Sequence, residues 1–397
     1  MIECDVLVVG AGPAGSSAAR ASAKAGAKTI FIDKKKEIGV PVKCAESISD
    51  YLIPFLPFKI PREQLIWKID GMLFYAEDIT IKRTGKIWSG YAISRKNFDK
   101  WLASNAVNSG AKLLTSTELI DLGVKDEYNV TKAIVKTPRG NKKIKPKVVI
   151  AADGADSTVL KKLGFKNLRE KCGKVMSFEV TSLDLNAPNF DQIYIGDFAP
   201  GAYAYIFPIS RNSANIGVTS LFHDKKLEKC YEEFLELSIV KKQIKNGIKI
   251  VEKSGIAPYH YSTDKWTYGN VLLVGDVANQ NLKPFGEGIL PAVICGDIAG
   301  NTVGRYITQT HEVPLDSYTT IVKKRLGALF KKSDSYITAI DEINSTRLYD
   351  KRNHLLSISL LADLITPSNV KYLQSESYDA LKKRFEGWCI KKLACSS

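Results

Sequence analysis

The segment Gly10-Ala11-Gly12-Pro13-Ala14-Gly15 places three glycines at the spacing that lets a backbone wrap a pyrophosphate. Gly10 makes the tight turn, Gly12 lets the backbone approach the phosphates, and Gly15 permits close helix–strand contact. Phosphate then sits on free N–H groups at a helix N-terminus, where the helix dipole also favours negative charge. Asp33, followed by Lys34, comes 18 residues after Gly15, where a carboxylate accepts hydrogen bonds from a ribose. Two further acidic turns end apolar runs: Asp153-Gly154, and Gly275-Asp276 continuing through Pro284-Phe285-Gly286-Glu287-Gly288-Ile289. The plain alternative for the first segment is a glycine-rich turn without a ligand.

The hydrophobic pattern supplies the elements that must carry these residues. Ile2 to Val9 is nearly continuously apolar, as a parallel strand buried on both faces requires. A helix over Ser16 to Ala25, a stop at Gly26 and a second strand over Lys28 to Asp33 complete a βαβ unit. Lys147 to Ala151 reads as another strand before a helical Thr158 to Leu163, and Asn270 to Val274 as a third before a helical Ala292 to Thr302. Pro291 fits only the first turn of that last helix.

With three such segments in register, the chain resembles the flavoprotein family that includes the aromatic hydroxylases and the geranylgeranyl reductases. The resemblance spans roughly the first 310 residues. It implies FAD, held by Gly10 to Gly15, by Asp153 and Gly154 near flavin and reductant, and by Gly275 and Asp276 at the ribityl or ribose part. Reduced flavin is anionic around N1 and the C2 carbonyl, and the N–H groups of Gly288 and Ile289 at a helix N-terminus would stabilise that charge. Ser94-Arg95-Lys96-Asn97-Phe98-Asp99 matches another stretch of the family and makes Arg95 an FAD contact or else an exposed helix-start arginine.

Two signals point to a branch of that family. Tyr203, Tyr205 and Phe207 alternate along Tyr203-Ala204-Tyr205-Ile206-Phe207-Pro208, so a strand would show all three rings on one face. The run resembles the reductases' Tyr-x-Trp-x-Phe-Pro motif, with Tyr205 in place of Trp, and fits the halogenases' Trp-x-Trp-x-Ile-Pro less well. Ordinary sheet packing is the alternative. Pro41-Val42-Lys43-Cys44-Ala45-Glu46 resembles the reductases' Pro-Val-Arg-Cys-Gly-Glu, with Lys43 for Arg and Ala45 for Gly. The resemblance puts Cys44 in the active site; otherwise it is a small buried hydrophobe. Glu287 stands where many members have glycine, and its orientation is open.

Composition narrows the classes. The 397 residues, 45% of them hydrophobic, can bury a core and make two or three domains. Seven cysteines without a C-x-x-C pair or histidines at ligand spacing argue against a disulfide scaffold or a metal site. A strand pattern from the start, without a basic leader or a membrane-length apolar run, suggests a cytoplasmic protein. The net charge of +15 is spread over short lysine runs. It suits a solvated surface, an anionic membrane surface met peripherally, or an acidic electron-transfer protein; nucleic acid ranks last, because no recognition motif accompanies the charge.

The expected fold is α/β: a discontinuous Rossmann-like FAD-binding domain (1–59, 94–170 and 262–309), a β-rich substrate domain (60–93 and 171–261) and a helical region from 310 to 397. Its helices are expected over Tyr318 to Lys332, Leu355 to Leu364 and Tyr378 to Lys392, with Pro367 as a break and an interfacial character for the last. The resemblance implies an FAD-dependent reductase that hydrogenates C=C bonds of prenyl chains on archaeal-type lipids, by hydride from flavin N5 plus a proton. The sequence leaves the proton donor open, with Cys44 and Tyr205 the residues to test. Tyr203, Tyr205, Phe207 and Pro208 line the expected substrate path. NAD(P)H or ferredoxin would supply electrons. The rival readings are an FAD-dependent monooxygenase, a quinone-linked electron-transfer flavoprotein and an FAD-binding protein without turnover.

Overall fold

The computed structural model describes residues 1–165, 172–221, 225–259, 265–309, 312–345 and 350–393. It opens with β1 (Ile2–Val9), α1 (Pro13–Lys24), β2 (Thr29–Ile32), β3 (Ser47–Ser49), β4 (Trp67–Ile69), β5 (Gly71–Ala76), β6 (Ile79–Thr84) and β7 (Gly90–Ala92). Next come α2 (Arg95–Asn108), β8 (Lys112–Leu114), β9 (Glu118–Lys125), β10 (Asn129–Thr137), β11 (Gly140–Ala151) and α3 (Thr158–Lys162). Then follow β12 (Cys172–Thr181), β13 (Phe190–Ile195), β14 (Ala204–Pro208), β15 (Ala214–Ser220), α4 (Leu227–Leu235), α5 (Ser238–Ile244), β16 (Ile248–Pro258), β17 (Thr267–Tyr268) and β18 (Val271–Leu273). The chain ends in α6 (Ile289–Thr308), α7 (Ser317–Asn344), α8 (Lys351–Leu361), α9 (Pro367–Leu373) and α10 (Tyr378–Leu393).

The parallel strands stand in the order β18-β11-β1-β2-β8, so the ends of β1, β11 and β18 lie side by side. This is why Gly10, Asp153 and Gly275, far apart in sequence, converge at one edge. Strands β9 and β10 extend β11 as an antiparallel meander. Helix α6 lies tightly on α1 because Gly296, Gly300 and Gly304 form a stripe one turn apart. A Cβ on Gly300 would stand 2.2 Å from the Ala18 carbonyl oxygen. The two helices therefore touch backbone to backbone.

The second sheet has seven strands, β16-β12-β15-β14-β13-β5-β6, antiparallel except where β13 meets β5. Both its faces are covered. Ala204, Ile206, Ile216 and Val218 pack under α4 and α5, while Tyr203, Tyr205, Phe207 and Phe74 face the cluster built by α7 to α10. Period-two alternation thus sends the aromatic stripe and its small neighbours to opposite sides.

Residues 60–93 do not form one unit as expected. Strands β4 and β7 pair with β3 in a separate three-stranded sheet, and only β5 and β6 join the second sheet. Pro367 opens α9 as its first residue, where its missing N–H costs nothing, and a capping box from Thr366 and Asn369 fixes the start. The expected boundaries at 170/171, 261/262 and 309/310 meet segments outside the described residues. Cys395 and the side chains of Trp388 and Cys389 also lie outside them. Among the described residues no helix is long and apolar enough to cross a membrane.

The α1–α6 contact gives a direct test. Gly300→Ala should lower stability by about 1 to 3 kcal/mol, because the methyl meets backbone that cannot rotate away. Denaturant melts measure it, and an unchanged midpoint contradicts the close packing.

Candidate active site

Gly10 has φ +104°, and a Cβ there would lie 2.3 Å from the Ala152 carbonyl oxygen; both facts demand glycine. Next to it the space over Gly12 is open, and α1 begins at Pro13 without a side-chain cap. The first-turn N–H groups therefore face a cradle that a side chain would fill. Asp33 holds the turn: its Oδ2 accepts from Ala11 N at 2.9 Å and its Oδ1 from Lys35 N at 2.9 Å.

Asp276, half-buried, follows the third apolar strand, β18. Burial pushes its carboxyl up, partly opposed by Arg95, and no hydrogen bond to the carboxylate comes from the described residues. It sits beside the start of α6, with Oδ1 3.4 Å from where a Gly288 Cβ would be. A desolvated carboxylate beside an open glycine cradle fits a dinucleotide sugar hydroxyl, so these residues fit the FAD that the resemblance implies.

The loop before β3 is anchored by Glu46. Its Oε2 meets Lys253 Nζ at 2.5 Å, its Oε1 accepts from Arg95 N at 2.7 Å, and its own N–H donates to Cys44 Sγ at 3.2 Å. Lys253 also donates to Asn215 Oδ1 at 2.7 Å, and Asn215 Nδ2 donates to the Ala45 carbonyl at 2.9 Å. Lys253 and Asn215 belong to β16 and β15, so this buried network ties the Cys44 loop and α2 to the second sheet. Cys44 is half-buried, with the Arg95 guanidinium in hydrogen-bonding reach.

A cavity of about 340 Å³ opens between these parts. Cys44 and Ala45 border it on one side and Gly286, Gly288 and Ile289 on another; Tyr203, Tyr205 and Phe207 form a wall, and Tyr336 and Leu361 close the far end. Lys43 is exposed at its rim. The rings of Tyr205 and Phe207 are 4.6 Å apart and those of Tyr203 and Tyr205 6.1 Å. Two tyrosines hold the loop before α6: Tyr203 donates to the Phe285 carbonyl at 2.8 Å and Tyr259 to the Pro284 carbonyl at 3.0 Å. Burial pushes the Tyr205 phenol up, which makes it a reluctant acid, and its hydroxyl makes no hydrogen bond of good geometry among the described residues.

Besides Glu46 and Asp363, two more carboxyls border the same cavity. Glu287, open in the sequence, turns toward β3, where its Oε1 accepts from Ser49 N at 3.1 Å and Ser49 Oγ at 2.7 Å. Asp191 accepts from Ser47 Oγ at 2.9 Å. Burial raises both carboxyls, that of Asp191 to about 7, with the serine bonds opposing.

Three of the expected contacts have the following surroundings within the chain. Asp153 is turned to the start of α3, accepting from Ser157 Oγ at 2.7 Å and Val159 N at 3.0 Å, so it satisfies the helix end, while the space over Gly154 is open. Arg95 makes a bidentate pair with Asp99, at 2.8 and 2.9 Å, because the two are one turn apart on α2. Lys34 is exposed; it is Lys35 that is desolvated, its ammonium pushed down by burial while Asp33 and Asp99 oppose the shift. Sequence reasoning missed Asn215, Lys253, Asp191 and Gly217. The last has no side chain because a Cβ there would stand 2.7 Å from Tyr205 Cζ.

Lys253→Met should cost about 3 to 5 kcal/mol by leaving Glu46 buried and unpaired. Adding Glu46→Gln should return much of that loss, since the uncompensated charge is gone. Denaturant melts of the single and double variants decide, and a single-variant cost under about 1 kcal/mol contradicts the buried pair.

Residues 68–289 match an FAD binding domain family, and residues 5–54 match a second FAD binding domain family. The digeranylgeranylglycerophospholipid reductase of Methanocaldococcus jannaschii is 39% identical over 310 residues, which cover 76% of this chain and 77% of that protein. The enzyme of the same name from Methanococcus aeolicus is 37% identical over 314 residues, 77% of this chain and 78% of that one. Among solved structures, a geranylgeranyl bacteriochlorophyll reductase-like protein from Thermoplasma acidophilum superposes with a TM-score of 0.80 at 26% identity, covering 98% of this chain and 100% of that one. The myxobacterial chondrochloren halogenase shares the fold at a TM-score of 0.72 and 15% identity, covering 89% and 86%. This chain belongs to the digeranylgeranylglycerophospholipid reductase family and is an FAD-dependent oxidoreductase.

Proposed function

We propose that the protein hydrogenates C=C bonds in the prenyl chains of a geranylgeranyl-bearing glycerophospholipid. The observation that carries this reading is the cavity. It runs from the loops expected at the cofactor, Cys44 and Gly286 to Ile289, along an aromatic wall to apolar side chains of the C-terminal helices. A long hydrocarbon suits such a surface.

Bound FAD, once reduced, supplies the hydride. The chain's own residues do the rest. Gly10 to Gly15 with Asp33, and Asp276 with Gly275, would hold the dinucleotide; the N–H groups of Gly288 and Ile289 at the start of α6 would stabilise negative charge on the reduced flavin. Tyr203 and Tyr259 hold the loop that carries those N–H groups, which ties the aromatic wall to it. Cys44 fits a place on the substrate path, as a small polarizable side chain held by the Glu46 N–H. The two larger sheets suit a cofactor unit of 1–59, 94–170 and 262–309 and a substrate unit of 60–93 and 171–261, covered by 310–397, except that β4 and β7 join β3 and not the second sheet. The basic surface suits peripheral contact with an anionic membrane, where such a lipid resides, or docking of an acidic electron donor. NAD(P)H and ferredoxin both fit as the source of electrons.

Two outcomes test this. Purified protein should be yellow with noncovalent FAD, and Asp276→Ala should weaken FAD retention by about 1.5 to 3 kcal/mol, as loss of a charged hydrogen bond predicts; equilibrium dialysis with unchanged affinity contradicts the assignment. Anaerobic incubation of the reduced enzyme with prenyl lipid should give a product heavier by added hydrogens. A product that forms only with oxygen, and carries it, means a monooxygenase instead.

A further inference from the structure

We propose that Asp191 delivers the proton that accompanies hydride transfer, a role that rests on the reductase reading above. Alkene reduction needs an acid at the substrate, and an unactivated double bond accepts hydride only if a proton arrives with it. The alkene takes hydride at one carbon from the reduced cofactor and the Asp191 proton at the other. Its π bond is lost, two C–H bonds form, two electrons leave the cofactor, and the Asp191 carboxylate regains a proton from water.

Asp191 lies on β13, in the cavity wall, with a relative exposure of only 6%. Its Oδ2 accepts from Ser47 Oγ, whereas Oδ1 has no hydrogen-bond partner among the described residues. A buried carboxylate left so poorly solvated is costly, and the neutral acid is the cheaper form. Its neighbour in register on β5 is Met72, which also borders the cavity and cannot compete for the proton. Burial holds the carboxyl at about 7, against the opposing Ser47 bond, so it stores a proton at neutral pH and still releases one.

The other charged and titratable groups on the cavity are placed differently. From the loop before β3 come Lys43, exposed, Cys44, bonded by the Glu46 N–H, and Glu46, neutralised by Lys253. From β14 come Tyr203 and Tyr205, phenols that burial pushes up, and from β16 Tyr259, pushed up in the same way. The loop before α6 brings Lys283, paired with Asp334, and Glu287, bonded twice by Ser49; Tyr51, after β3, is a phenol pushed up by burial. From α7 come Lys332 and Tyr336, and from the turn after α8 Asp363, which accepts from the Tyr336 hydroxyl at 2.8 Å. Ser47 and Ser49 lie on one face of β3, one serving Asp191 and the other Glu287, while Ile48 between them enters the opposite core. That strand presents the acid to the cavity as a fixed part of its wall.

The test compares wild-type and Asp191→Asn holoenzymes in anaerobic turnover with a prenyl lipid across pH, with melts and FAD content as controls. Wild-type turnover should fall as pH rises through about 7, because the acid is lost above that value. Asp191→Asn should keep FAD, lose about a hundredfold or more in turnover and lose that limb. Ser47→Ala should move the limb to higher pH, since the bond that lowers the Asp191 value is removed. Difference infrared spectra of the oxidised holoenzyme give a second readout: a protonated-carboxyl band that titrates near the same pH and is missing in Asp191→Asn. An Asp191→Asn enzyme with wild-type rate and pH profile, or wild-type protein without the titrating band, overturns the assignment alone. Wild-type protein that leaves every prenyl lipid unreduced overturns the reductase reading, and this assignment with it.

Discussion

The buried contact between Glu46 and Lys253 is the constraint on which the site's geometry depends. Glu46 sits in a loop between the first βαβ unit and β3, at φ +65°, and its two carboxylate oxygens look in different directions. One receives the first N–H of α2, which packs on α1, and the other receives Lys253 from the second sheet. Through its own N–H it also sets Cys44. Burying a carboxylate and an ammonium costs several kcal/mol unless their bonds are complete, and here Asn215 completes the set by bonding both Lys253 and the Ala45 carbonyl. The geometry is therefore specified sharply. A loop held in this way can keep a small thiol beside a cavity without needing helix or strand structure of its own.

The opposite wall is fixed by a different device. The loop before α6 receives two tyrosine hydroxyls on its carbonyls, and its Asn281 reaches back to the Pro258 carbonyl at 3.0 Å. Lys283 reaches Asp334 on α7, so a helix of the C-terminal region pins the same loop. The segment that begins at the carboxylate expected to meet the sugar thus ends at a helix N-terminus whose position depends on the aromatic wall. Cofactor side and substrate side are not separable modules. They share the loop.

Much of this was legible because the signals are local. The glycine turn after β1 is read from six consecutive residues, and the aromatic wall from the alternation of Tyr203, Tyr205 and Phe207, which survives any error in strand ends. Asp276 was legible by its place after an apolar strand. What escaped depends on partners distant in sequence. Lys253 and Asn215 look like ordinary strand residues until β15 and β16 bring them under the Cys44 loop. Asp191 lies between two strand-like neighbours, and only the placement of β3 makes it a cavity acid. Arg95 and Asp153 carry the right charge in the right segments, yet nearer partners, Asp99 one turn along the helix and the open N–H groups of α3, claim their side chains. Local competition of this kind is settled by hydrogen-bond geometry that spacing does not express.

A single measurement bears most directly on the claim that one cavity brings a prenyl chain to the flavin. Holoenzyme is photoreduced under strict exclusion of oxygen and mixed with a prenyl lipid or with its saturated counterpart, while the flavin absorbance is followed. The unsaturated lipid should restore the oxidised flavin spectrum without oxygen, and the saturated one should leave it bleached. A flavin that stays reduced with both lipids, and recovers only when oxygen is admitted, would contradict the account.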